Sequence, residues 1–205
     1  MNKFTLHTGR TVLIDAANVD TDQIIPKQFL KRIERTGYGE FLFNDWRFAA
    51  DGSTKADFIL NDPKFSGASI LITGANFGCG SSREHAAWSL LDYGFRVVIA
   101  SSFAEIFYNN SLNNGLLPVV LGESDIRILT EITMAGSHYF LSVDLTEQKV
   151  SDGRSFSAYF NIDPFRRYCL LNGLDDIALT LEHEAKISDF ENRAVNIGTL
   201  GTPVI

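Results

Sequence analysis

Three short apolar runs divide the middle of the chain, and their spacing restricts the fold more than any other feature. The first is Ile70-Leu71-Ile72-Thr73 after Ser69, the second Phe95-Arg96-Val97-Val98-Ile99-Ala100, the third Leu116-Leu117-Pro118-Val119-Val120-Leu121. Each is nearly continuous rather than alternating, the pattern of a strand buried on both faces. Between the first and second runs, residues 82–93 carry Ala86, Ala87, Leu90 and Leu91 at helical spacing, and Gly94 supplies a stop. Between the second and third, a helix starting at Ser102 carries Phe103, Ile106 and Phe107 and ends at Asn113-Asn114-Gly115. A β-α-β-α-β order implies parallel strands joined by right-handed crossovers.

The flanking segments read differently. Residues 4–15 predict a hairpin with Thr8-Gly9-Arg10 as its turn. Residues 18–26 read as a loop whose aspartates, Asp20 and Asp22, either close an Asx-type turn or serve a site. A basic, partly helical stretch follows at residues 27–35, and aromatics crowd residues 38–48, where they suit a core or an interface. Asn61-Asp62-Pro63 marks a turn. Beyond the third apolar run, residues 139–145, 148–150 and 156–160 predict short strands, with Ser151-Asp152-Gly153-Arg154 as a turn. Asp163-Pro164-Phe165 opens a helix that ends near Asn172-Gly173, and Asp175-Asp176 caps another from Ile177 to about Phe190. The last dozen residues are polar and read as loose. These signals predict one α/β domain over residues 1–205, with a parallel β-α-β-α-β core and additional antiparallel strands.

Charge and cysteine usage exclude several functions. A net charge of -7 opposes non-specific nucleic-acid binding, which needs basic surface to displace counterions. The two cysteines, Cys79 and Cys169, form neither a CxxC pair nor a disulfide framework, which points to a reducing compartment. They are too few to hold an iron–sulfur cluster or a structural zinc alone. The N-terminus lacks the apolar segment of a signal peptide, and no apolar run is long enough to span a membrane. The expected location is the cytoplasm.

Chemistry concentrates in the loop after the first run, Gly74-Ala75-Asn76-Phe77-Gly78-Cys79-Gly80-Ser81-Ser82-Arg83-Glu84-His85. As a nucleotide site it fails twice. Gly78-x-Gly80-x-x-Arg83 lacks the third glycine of the dinucleotide fingerprint, and no GK[ST] tripeptide follows. Cys79 near a helix start, with His85 close in sequence, offers a nucleophile, against the plainer reading of a small packing residue. Ser81 or Ser82 with Arg83 could bind or deprotonate a carboxylate substrate: the guanidinium is a planar fork, and amides at a helix start stabilise an alkoxide. The competing structural reading is a capping box, Ser81-x-x-Glu84, repeated as Ser102-x-x-Glu105.

Gly80-Ser81-Ser82-Arg83-Glu84-His85-Ala86-Ala87 resembles the signature of the swivelling domain of the aconitase superfamily. Asp20-Thr21-Asp22-Gln23-Ile24-Ile25-Pro26, Phe103-Ala104-Glu105-Ile106-Phe107-Tyr108-Asn109-Asn110, Asn114-Gly115-Leu116-Leu117-Pro118, Asp163-Pro164-Phe165 and Leu170-Leu171-Asn172-Gly173-Leu174-Asp175-Asp176-Ile177 resemble the small subunits of bacterial 3-isopropylmalate dehydratases. The resemblance spans nearly the whole chain and implies a swivelling β/β/α fold. It also implies a hydro-lyase of leucine biosynthesis that interconverts 2- and 3-isopropylmalate through isopropylmaleate, active only with a large subunit that carries a [4Fe–4S] cluster. This chain is then expected to bind no cofactor or metal itself. The resemblance makes Ser81 the alkoxide base, puts the Ser82 and Arg83 amides in its oxyanion pocket, and gives the Arg83 side chain to a substrate carboxylate or the alkoxide. Asp22 is expected to orient this loop or its partners. Leu30 and Ile33 are the candidates to meet the isopropyl branch, while Lys31 and Arg32 keep a tricarboxylate-type substrate open. Homoaconitase-type or citraconate-type hydro-lyases, or a non-catalytic carboxylate-binding module, are the alternatives.

Overall fold

The computed structural model describes residues 1–31, 36–136 and 139–197. Its frame is a seven-stranded sheet: β1 (Leu6–Ile14), β2 (Ile70–Thr73), β3 (Val97–Ala100), β4 (Leu117–Val120), β5 (Phe140–Asp144), β6 (Lys149–Ser151) and β7 (Ser157–Tyr159), in the spatial order β4-β3-β2-β1-β5-β6-β7. The four strands from β1 to β4 pair in parallel, and β1, β5, β6 and β7 pair antiparallel. The three apolar runs are the parallel strands β2, β3 and β4, and the three short strands after them are the antiparallel β5, β6 and β7, as the sequence predicts.

β1 corrects the predicted hairpin. Leu6 to Arg10 pair antiparallel with β5, and Thr11 to Ile14 pair parallel with β2, so one continuous strand serves both halves of the sheet. Gly9 is not a turn residue. A Cβ there would lie 2.0 Å from Ser69 Oγ and 2.8 Å from His7 Nε2, so glycine permits the close approach of Ser69 and His7.

The side-chain alternation of the central strands sorts the core into two layers. Leu13, Ile70, Ile72, Val97 and Ile99 face one way, with Leu129 and Leu170 packed over them. Val12, Ile14, Leu71 and Val98 face the other, against Ala86, Ala87, Leu90 and Phe107. The helices among the described residues are α1 (Thr21–Ile24), α2 (Asn44–Arg47), α3 (Glu84–Tyr93), α4 (Glu105–Asn114), α5 (Glu123–Ala135), α6 (Pro164–Asn172), α7 (Asp176–Leu181) and α8 (Glu184–Ile197), of which α7 and α8 bury no described side chain in either layer. Tyr38, Leu42 and Phe43 are fully buried in the second layer, which accounts for the aromatic crowding as packing.

Other boundaries also move. Residues 21–24 form one helical turn instead of a loop, closed by a reciprocal capping box between Asp20 and Gln23. α5 has no counterpart among the elements expected from sequence, although Glu123 and Asp125 in its first turn and buried Leu129 and Thr133 are helix signals. Neither serine box exists. α3 begins at Glu84 after Arg83, and α4 at Glu105 after Ala104, with no side-chain cap on either. Ser102 Oγ instead accepts from the Asn76 amide at 2.8 Å. The helix expected from Ile177 to Phe190 breaks at residues 182–183, where Thr180 Oγ1 donates back to the Asp176 carbonyl at 2.9 Å. Helix α8 continues to Ile197, into the stretch expected to be loose. No helix among the described residues is long and apolar enough to cross a membrane.

Candidate active site

The loop between β2 and α3 is fastened to the segment after β1. The Asn18 amide donates to the Ala75 carbonyl at 2.8 Å, the Gly78 amide to Val19 at 2.7 Å, and the Thr21 amide to Cys79 at 2.8 Å. Asp20 and Cys79 form an isolated parallel bridge. Gly78 makes this path possible. Its φ is +77°, and a Cβ would fall 2.2 Å from Phe107 Cγ. The glycine-rich spacing therefore serves backbone pairing and contact with α4, not a nucleotide phosphate.

This fastening brings Thr21 and Asp22, at the start of α1, against Ser81 and Arg83. The buried Thr21 hydroxyl accepts from the Ser81 amide at 3.1 Å and lies 3.1 Å from Ser81 Oγ. One hydroxyl thus meets both the backbone and the side chain of the serine. Once Ser81 is deprotonated, only Thr21 can donate in that pair. Ser81 and Ser82 are exposed, so both hydroxyls are open to a ligand. The Arg83 amide, one of the two expected to face an alkoxide, donates to Ser81's own carbonyl at 2.8 Å.

Arg83 is only 13% exposed, and Asp22 grips it with both oxygens, Nη1 to Oδ1 at 2.6 Å and Nη2 to Oδ2 at 3.0 Å. Nη1 also donates to the Ile25 carbonyl at 3.4 Å. A guanidinium has five N–H groups. Among the described residues, Nε–H and the second Nη2–H are unused, and these two lie side by side as a second fork for a carboxylate. The hydrogen bonds from Arg83 hold the Asp22 carboxyl below its usual range, so the pair is charged on both sides at neutral pH.

The remaining candidates are placed elsewhere. Leu30 sits on a 3-10 turn, Lys27–Lys31, half-buried against the aromatic layer. Ile33 and Arg32 lie outside the described residues. Cys79 Sγ donates to the Asn18 carbonyl at 3.4 Å, while His85 packs against the rings of Tyr38 and Trp88, so the structure does not pair that thiol with that imidazole. Cys169 is buried in α6. No group of three or more His, Cys, Asp or Glu residues among those described could hold a metal ion. Sequence motifs gave Thr21 no role. The Asp20-x-x-Gln23 box was the available signal, because it fixes the turn that carries Thr21.

The same segments match known proteins. The Aconitase C-terminal domain family matches residues 1–124, and the family of C-terminal domains of the 3-isopropylmalate dehydratase small subunit matches residues 176–194. The chain is 58% identical to the 3-isopropylmalate dehydratase small subunit of Geobacillus kaustophilus over 94% of its length and 98% of that protein. It is 55% identical to that of Brevibacillus brevis, over 94% of its length and all of that protein. A crystal structure of 3-isopropylmalate dehydratase from Methanocaldococcus jannaschii is similar at a TM-score of 0.66 and 25% identity, covering 90% of this chain and 98% of that one. Fold and similarity along nearly the whole chain agree: this protein belongs to the family of 3-isopropylmalate dehydratase small subunits, within the aconitase superfamily.

Proposed function

We propose that this chain supplies the proton-transfer half of a hydro-lyase that interconverts 2-isopropylmalate and 3-isopropylmalate through isopropylmaleate, in leucine biosynthesis. The observation that carries this reading is the Ser81 oxygen held beside the Thr21 hydroxyl, next to an Arg83 fork already half occupied by Asp22. Dehydration of a hydroxy acid requires removal of a proton from carbon next to a carboxylate and departure of hydroxide from the neighbouring carbon. Ser81, as alkoxide, takes the proton. Thr21 donates to that alkoxide, and the charge-assisted bond shortens as charge develops. Arg83 binds a substrate carboxylate through Nε and Nη2, while Asp22 fixes the plane of the guanidinium. The Ser82 amide completes the oxyanion environment. Leu30 is the candidate to meet the isopropyl branch; Ile33, the other residue assigned to it from sequence, lies outside the described residues.

Departure of hydroxide needs an acid at the leaving oxygen, and a [4Fe–4S] cluster on a large subunit would supply it as a Lewis acid. The two thiols of this chain do not fit such a cluster: one donates to a backbone carbonyl, the other is buried in a helix, and a cluster takes more thiolates than two. We therefore infer that the chain is active only in a complex with an iron–sulfur large subunit, in the cytoplasm.

The test is hydration of isopropylmaleate under anaerobic conditions, with this chain alone, with the large subunit alone, and with both. Turnover only in the mixture supports the reading. A mixture that assembles but is silent on isopropylmaleate and active on a tricarboxylate moves the chain to a homoaconitase-type reaction. Full turnover by the large subunit alone overturns it.

A further inference from the structure

Three successive helices each leave a pair of large apolar side chains in water. Phe165 and Tyr168 in α6 are 54% and 46% exposed, Ile177 and Leu181 in α7 are 72% and 58% exposed, and Ile187 and Phe190 in α8 are 38% and 63% exposed. The pairs are spaced three or four residues apart, so each occupies one helical face. Tyr168 Oη donates to Glu182 at 3.4 Å, which holds the end of α7 beside α6. Every residue from 181 to 193 is exposed. A 14-residue helix such as α8, with no buried face among its described side chains, lacks the packing that normally stabilises a helix of this length. This is the pattern of an element that awaits a partner.

We propose that these helices, through Ile177, Leu181 and Phe190, are where the chain docks on its large subunit. The proposal rests on the heteromeric reading above. Three observations select that occupant. First, the segment matches a family defined on 3-isopropylmalate dehydratase small subunits, over residues 176–194, whereas the Aconitase C-terminal domain match ends at residue 124. The exposed helices therefore belong to the form of this fold that works as a separate subunit. Second, Ile177 and Asp176 line a cavity of about 440 Å³ together with Glu84, the residue after Arg83, and Asn110, Asn113 and Asn114, so a mostly polar cleft links the exposed helices to the start of the helix that carries the reaction loop. A large subunit that completes the site must approach that same region. Third, residues 175–193 hold six carboxylates against two cations, Lys186 and Arg193. Such a rim disfavours a second copy of the same face, because like charges would meet around the apolar centre. It fits instead an apolar groove bordered by lysines and arginines.

The experiment titrates the full-length chain into a fixed amount of the cluster-loaded large subunit and reads complex formation by sedimentation and turnover of isopropylmaleate. The variants are Ile177→Asp with Leu181→Asp, and Phe190→Asp separately. All three positions lie outside the core, so the thermal midpoint of the free chain should stay at the wild-type value. The expected result is a titration shifted to at least 100-fold higher concentration, with the same turnover once the large subunit is saturated, and a wild-type complex that weakens as salt rises. Variants that assemble like wild type overturn the proposal. So does a wild-type homodimer that the substitutions dissociate while binding to the large subunit is unchanged. A wild-type chain that does not bind the large subunit overturns the heteromeric reading itself, and this proposal with it.

Discussion

Asp22 and Arg83, 61 residues apart in sequence, meet as a two-toothed ion pair at 2.6 and 3.0 Å. The contact ties the turn after β1 to the start of α3 and leaves the serine between them at a fixed place. Because Arg83 is nearly buried and Asp22 is 44% exposed, the carboxylate faces water on one side and the guanidinium is locked from the other.

Asp22→Asn removes the charge and one tooth of the pair. Arg83 then loses its fixed plane, and a misplacement on the order of 1 Å costs on the order of 10²-fold in rate. Stability should fall by only about 1 kcal/mol, since water already screens the exposed carboxylate. Steady-state kinetics and thermal unfolding of the assembled enzyme check both numbers. Unchanged activity and assembly would remove the positioning role.

Ser81→Ala separates a base from a cap. The serine caps no helix, because α3 starts after Arg83, so the variant should unfold at the wild-type temperature and assemble normally. Turnover should drop by roughly 10²–10⁴-fold, the usual loss when a positioned proton acceptor is removed. A stability loss of about 1 kcal/mol with activity retained is the signature of capping.

Thr21→Val keeps the shape of a buried side chain and deletes the hydroxyl that meets Ser81. The alkoxide loses its donor and Ser81 becomes harder to deprotonate, so the limb of the kcat profile on which rate rises with pH should move to higher pH. Thr21→Ser should restore the wild-type profile. A purely structural role would lower the thermal midpoint without moving that limb, and the comparison of the two pH profiles decides between them.

Gly78→Ala should destabilise the fold by about 1–3 kcal/mol. It combines a left-handed backbone with a methyl group 2.2 Å from the ring of Phe107. Chemical denaturation of the free chain measures the loss, and a neutral variant would show that α4 can shift away.

Two imidazoles make stability sensitive to acid. Burial pushes both His7 and His85 below the ordinary value; Arg96 adds to the shift at His7, while at His85 the Glu84 carboxylate opposes it and Arg83 adds to it. The unfolded chain therefore binds more protons than the fold in the window below about pH 6.5. Their contribution is complete above that value and is lost as pH falls through the lower folded-state values. The thermal midpoint should decline between pH 7 and pH 5, and the slope should flatten in a His7→Gln, His85→Gln double variant.

The sequence alone determined strands β2, β3 and β4 and the helix ends at Gly94 and Gly115, because continuous apolar runs and glycines in the left-handed region are local requirements. It also pointed to the loop of Ser81, Ser82 and Arg83 and, through the family resemblance, to Asp22, which the fold places in contact with Arg83. Tertiary structure decided the rest. Thr8-Gly9-Arg10 looks like a turn until Ser69 is seen occupying the space of the missing side chain. Ser81 and Ser102 look like caps until long-range contacts place both helix starts beyond them. The partner of the Ser81 oxygen, Thr21, lies 60 residues away, and no local pattern encodes a hydrogen bond across that distance. Motif spacing reports what the backbone can do with its neighbours; which side chains meet across the sheet is fixed only when the two core layers close and strand β1 is gripped from both sides.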